Sequence, residues 1–215
     1  MREAAAVRRS ADRASHDAAE LGEPLEVEFF ARSVHDVAAH LVGCSLQFDG
    51  VGGVIVETEA YDADDPACHA FGGITPRSEV LFGPPGRAYV YFSYGIHSLL
   101  NAVAEPEGLA AAVLIRALEP LWGVERMRER RGRDSLRELC SGPGKLTEAL
   151  GIGLSHNRLR FDQPPFELRS RGGRYKSVEV HTGTRIGITR AVDYPWRFCA
   201  AESGYLSRPL RAEVA

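Results

Sequence analysis

Three residues in VIVETEAY, Glu57, Glu59 and Tyr61, stand at alternate positions, and three more tyrosines, Tyr89, Tyr91 and Tyr94, follow in GRAYVYFSYGIHSLLN. In a strand, alternate positions share one face with Cα atoms about 6.6 Å apart. Two carboxylates so placed can act as acid and base across a glycosidic bond, and each raises the other's proton affinity. The bland reading is a solvent-facing strand with two solvated charges, and it is the better one for a pair without help. Tyr89, Tyr91 and Tyr94 have a bland reading too, as sheet-packing aromatics. Arg116 changes the balance, because it interrupts the apolar run AAAVLIRALEP. An unpaired charge there is costly, so Arg116 needs a carboxylate or phosphate partner.

The elements that must position these groups follow from periodicity. Phe29, Phe30, Val34, Val37, Ala38 and Leu41 recur at helical spacing, predicting one amphipathic helix from Leu25 to Val42. SLQFDGVGGVIVETEAY reads as a hairpin with its turn at Asp49 to Gly53 and a second strand from Val54 to Tyr61. Period two puts Ile55, Glu57, Glu59 and Tyr61 on one face of that strand. The acidic loop with Asp62, Asp64 and Asp65 lacks the glycine and terminal glutamate of a calcium loop, so no metal site is expected there. RAYVYF alternates with Tyr89 and Tyr91 on one face, and Ser93-Tyr94-Gly95 is a turn, which puts Tyr94 at a hairpin tip. A further strand closes at Pro120, and a helix with basic outer residues follows. SGPGKLTEALGI reads as a helix capped by Ser141, with Pro143 in its first turn and Gly151 at its end. Such a start can bind phosphate, though it lacks the full P-loop spacing. The remainder is short strands and turns. The fold class expected is α+β, a single mixed domain over residues 25–215 with mostly antiparallel pairing, preceded by a loose tail over residues 1–24.

Composition narrows the partners. The formal net charge is −3, but residues 1–115 hold 7 Lys and Arg against 17 Asp and Glu, while residues 116–215 hold 19 against 12. A basic second half fits an anionic partner held by one face. Only Lys145 and Lys176 are lysines, which limits chemistry through an amine nucleophile. Cys44, Cys68, Cys140 and Cys199 form no C-x-x-C pair, predicting buried free thiols. No apolar run has the length of a membrane span or secretory signal, so a cytoplasmic protein is expected.

Taken together, VETEAYDADDPACHAFGG, TPRSEVLFGPPGRAYVYFSYGIHSLLN, AAAVLIRALEP and LCSGPGKL resemble the alkyladenine (3-methyladenine) DNA glycosylase family, from about Leu25 to Ser207. The resemblance implies a curved sheet flanked by helices with a protruding hairpin, and a monomer acting on double-stranded DNA that contains damaged purines, without metal or other cofactor. It implies Glu59 as the base that activates water and Arg116 as the arginine holding that water and the adjoining phosphate. Tyr61, His69 and Tyr91 would form the pocket for the extruded base, Asn101 would obstruct the amino group of guanine, and Tyr94 would wedge into the duplex. The main-chain carbonyl of Leu206 would lie near the water. A cationic alkylated purine should stack well on Tyr61 and Tyr91. Three departures from the family pattern are Gly204 in place of Pro, His97 where animal members carry Tyr, and Ser78 where Asn is common. Two rivals stand beside this expectation, a carbohydrate glycosidase using Glu57 and Glu59 and a non-catalytic nucleic-acid-binding module.

Overall fold

The computed structural model describes residues 21–93 and 95–210. Tyr94 and residues 1–20 of the expected tail therefore lie outside the described residues. Among the described residues, eight strands form one curved antiparallel sheet accompanied by five α-helices, the α+β class expected. The strands are β1 (Ser45–Phe48), β2 (Val51–Tyr61), β3 (Ala88–Ser93), β4 (His97–Val103), β5 (Ala112–Trp122), β6 (Phe166–Arg169), β7 (Val180–Gly183) and β8 (Arg197–Ala200). Their order is β3-β4-β5-β2-β1-β6, and β8 joins the stretch of β2 that β1 leaves free, with β7 outside it. Residues Glu57 to Glu59 are thus flanked by β5 on one edge and β8 on the other. They lie in the middle of the sheet.

The β1–β2 turn is tighter than the sequence suggests. Asp49 and Gly50 both have positive φ, 50° and 69°, the conformation of a two-residue hairpin turn, so β2 begins at Val51. Close approach then requires glycine at position 53, where a Cβ would lie 1.9 Å from the Glu119 carbonyl oxygen. β5 also runs past Pro120 to Trp122, because the pairing slips between Gly52 and Gly53 and proline is tolerated at such an irregularity.

The helix expected over residues 25–42 is two, α1 (Val27–Phe30) and α2 (Val34–Leu41). The break is tertiary in origin. Glu105, 71 residues downstream of Val34, accepts the Val34 N–H at 3.1 Å, and its own N–H donates to the Phe30 carbonyl at 2.9 Å. Backbone groups left without helical partners are satisfied from another part of the chain. α2 then packs Val34, Val37, Ala38 and Leu41 into the main core, and Thr58 of β2 donates to the Ala38 carbonyl at 2.8 Å.

Three helices follow β5: α3 (Val124–Arg131), α4 (Leu136–Cys140) and α5 (Pro143–Leu150). They contribute Met127, Leu139 and Leu146 to the same core. Gly142, not Ser141, is the residue before α5, while Ser141 bridges to Ala117 and accepts from Lys145 at 3.4 Å. Gly151 ends α5 in the left-handed conformation, as expected. Residues 23–25 run beside β6, tied by the Leu25 N–H to the Leu168 carbonyl at 2.9 Å. A second apolar cluster, with Val80, Leu81, Tyr89 and Val103, lies under the loop after β2.

Candidate active site

The centre of the sheet is irregular where the acidic pair stands. Ile55 pairs with Leu118, Glu57 with Ala117 and Thr58 with Ile115, so the ladder steps over Val56 in β2 and over Arg116 in β5. Such bulges re-aim side chains. Here the Arg116 guanidinium spans both carboxylates, with Nε 3.2 Å from Glu57 Oε1 and Nη1 3.2 Å from Glu59 Oε2. Neither glutamate has any solvent exposure, which rules out the solvent-facing strand. The partner that Arg116 requires is the pair itself.

The two carboxylates have different surroundings. Glu57 accepts from Arg116, from Arg197 at 3.2 Å, and from the Ser207 N–H and hydroxyl at 2.6 and 2.8 Å. Four donors occupy it, as a buried carboxylate requires. Glu59 accepts the Tyr61 hydroxyl at 2.7 Å and the Ile186 N–H at 2.7 Å in addition to Arg116. Burial pushes the Glu59 carboxyl above its usual range, and Arg116, Tyr61 and the Ile186 N–H offset that only in part. A carboxylate tuned upward is a stronger base.

A cavity of about 940 Å³ opens above this cluster, and Tyr61, His69, Tyr91, Asn101 and Arg116 all line it. The structure thus brings five expected residues around one chamber, with Glu59 directly behind Tyr61, Arg116 and Ile186. His69 Nδ1 lies 2.9 Å from the Tyr89 hydroxyl, and its ring meets Tyr91 edge-on at 4.6 Å. Desolvation, then the charge of Arg77, push His69 down to about 4, so its ring is neutral near pH 7. Tyr89 stacks on Tyr91 at 5.2 Å, and the Asn101 amide donates to the Tyr89 carbonyl at 3.0 Å. The Leu206 side chain is not among those lining the chamber. Its buried side chain lines a separate depression with Arg137 and His181, and its neighbour Ser207 is what meets the acidic cluster, through Glu57.

The sequence pattern of the methylpurine-DNA glycosylase family matches residues 28–204. The chain belongs to that family. Relatives that carry the name "Putative 3-methyladenine DNA glycosylase" include the following three. That of Rhodopseudomonas palustris (strain HaA2) is 59% identical over 191 residues, covering 89% of this chain and 94% of its own. Those of Bradyrhizobium diazoefficiens and Nitrosospira multiformis are 57% and 55% identical, covering 88% and 86% of this chain and 93% and 94% of their own. This protein is accordingly a DNA glycosylase. Among the described residues no helix is long and apolar enough to cross a membrane.

Several residues of the candidate site carry no signal in the sequence. The Arg185 side chain is wholly buried, donates to the Ala60 carbonyl at 3.0 Å, pairs with Asp65 and lies 4.6 Å over the Tyr61 ring. It clasps the loop after β2 to the segment that supplies the Ile186 N–H. Arg197 and Ser207 close the Glu57 side, 140 and 150 residues away along the chain. No local pattern marks them, since their partners are brought up only by folding. Of the departures, Ser78 is buried and locks its turn, accepting the Thr75 N–H at 2.9 Å and donating to the Gly73 carbonyl at 3.0 Å. His97 is exposed and packs against Gly144, where a Cβ would lie 2.8 Å from its ring.

Proposed function

We propose that this glycosylase removes alkylated or deaminated purines from duplex DNA by taking the damaged nucleotide out of the stack and hydrolysing its N-glycosidic bond. The observation that carries this reading is an aromatic chamber with a single buried, upward-tuned carboxylate, Glu59, held directly behind its Tyr61 and Arg116 wall. In the proposed reaction Glu59 takes a proton from a water as its oxygen bonds to the sugar carbon. The carbon–nitrogen bond breaks with its electron pair leaving on the base, so that a cationic purine departs neutral while an uncharged one takes up a proton from solvent, and the products are a free purine and an abasic site. Arg116 holds Glu59 in place and faces the chamber, where it orients the water and the adjoining phosphate. Tyr61, His69 and Tyr91 receive the base, Asn101 obstructs the amino group of guanine, Tyr94 fills the gap in the duplex, and the Leu206 carbonyl helps hold the water.

The magnitudes agree with such a division of labour. Extruding a base costs a few kcal/mol, and each aromatic surface returns about 1–3 kcal/mol by stacking. General-base assistance supplies roughly 10² to 10⁴ in rate. The four donors on Glu57 leave it no role as a second acid or base, which weighs against a two-carboxylate carbohydrate glycosidase.

Incubation with a duplex containing one hypoxanthine or ethenoadenine, followed by alkali, tests the reading. Strand breaks at the lesion should appear after alkali and not before it, since no Schiff-base step is involved. Absence of breaks with every alkylated or deaminated purine would end it.

A further inference from the structure

Two aromatic walls of the chamber each carry a guanidinium. Arg185 lies 4.6 Å from the Tyr61 ring centroid, and Arg77 lies 5.0 Å from that of Tyr91. Arg185 is fixed by its buried pair with Asp65, and Arg77 stands on the turn that Ser78 locks to Thr75 and Gly73. The described residues lining the chamber include five basic side chains, Arg77, Arg116, Arg131, Lys145 and Arg190, and no acidic one. Glu57 and Glu59 lie behind that surface, paired with Arg116 and Arg197, and Arg131 is paired with Glu148, so the positive character of the lining rests on Arg77, Lys145 and Arg190. A cation on an aromatic face draws on the same quadrupole that a second cation would use. Basic side chains converging on a cleft also make its potential positive.

We infer that the chamber sorts damaged purines by charge, favouring uncharged lesions, deaminated or ring-bridged, over N-alkylated purines that carry a formal positive charge, with Arg77 as the residue that sets this preference. The inference rests on the base-excision reading above, and it reverses the simpler expectation that bare tyrosine faces welcome a cationic purine. Glu148 accounts for Arg131, and a flanking phosphate accounts for Lys145 in the first turn of α5. It does not account for Arg77, whose guanidinium is laid on a ring of the base pocket. His69 registers the reach of that charge, since Arg77 is the second cause, after desolvation, that lowers it to about 4.

Cationic purines leave more readily by their own chemistry, so the informative quantity is a ratio compared between variants. Single-turnover release of 7-methylguanine and of hypoxanthine from otherwise identical duplexes is measured for wild type, Arg77→Gln and Arg77→Lys. Arg77→Gln should raise the 7-methylguanine to hypoxanthine ratio about fivefold or more, while Arg77→Lys, which keeps the charge, should stay within about twofold of wild type. A ratio unmoved by Arg77→Gln, or one moved equally by Arg77→Lys, overturns the charge claim and leaves the excision reading standing. Release of neither base by the wild-type protein overturns both.

Discussion

Glu59 carries the tension between stability and chemistry at the scale of single residues. Its carboxyl is raised in the folded protein, chiefly by burial. A raised carboxyl binds its proton more tightly in the folded state than in the unfolded one, so the stability it contributes is present below the unfolded value and lost as pH rises through the folded value. Above its folded value the ionised group therefore weakens the fold. Glu59→Gln should cost roughly 10² to 10⁴ in excision rate while lesion binding persists and the melting temperature at pH 7 stays level or rises. Loss of lesion binding, or a fall in melting temperature, would make Glu59 structural instead. The same shift predicts a pH profile. With a cationic lesion, whose departure needs no added proton, the single-turnover rate should hold above the Glu59 value and fall as pH drops through it. The inflection should lie above 4.5, the carboxyl's ordinary value; one at or below that value would contradict the raised carboxyl. Glu59, Tyr61 and Arg116 were readable as a group because strand alternation and one charge in an apolar run are local signals. Arg185, Arg197 and Ser207 were not, because each gains its meaning from a partner more than a hundred residues away.

At the scale of elements, position is created where regular structure is interrupted. The slips at Val56 and Arg116 turn an arginine of β5 onto two glutamates of β2, and periodicity, which assumes an unbroken ladder, carries no trace of them. The break between α1 and α2 has a similar origin, since Glu105 supplies the terminal bonds from a distant loop. The loop after β2 owes its position to the Asp65–Arg185 pair, in which both side chains are fully buried. Removing one member leaves an unpaired buried charge, so Asp65→Ala should cost about 3–5 kcal/mol in chemical denaturation. Asp64→Ala, three positions after Tyr61 at an exposed site, should change stability by less than about 0.5 kcal/mol. Equal effects of the two substitutions would show that the clasp does not anchor the loop.

For the whole molecule, one sheet supports both the core and the site, so burial of the thiols reports global integrity. Cys44, Cys140 and Cys199 are 1% exposed or less, and burial pushes each up to about 12. They should resist a thiol reagent in the native protein and become reactive together in the unfolding transition. Reaction of any of the three well before unfolding would reveal local opening of the core. The sequence by itself determined the α+β class, the strands that carry Glu59 and Tyr91, the buried cysteines and the family, because these are written in local alternation, composition and ordered blocks of residues. Only the tertiary structure decided that Glu57 is fully occupied while Glu59 stands directly behind the wall of a chamber, and that guanidinium groups lie on Tyr61 and Tyr91. Those outcomes depend on which distant donors reach each carboxylate and each ring, and chain spacing does not specify that.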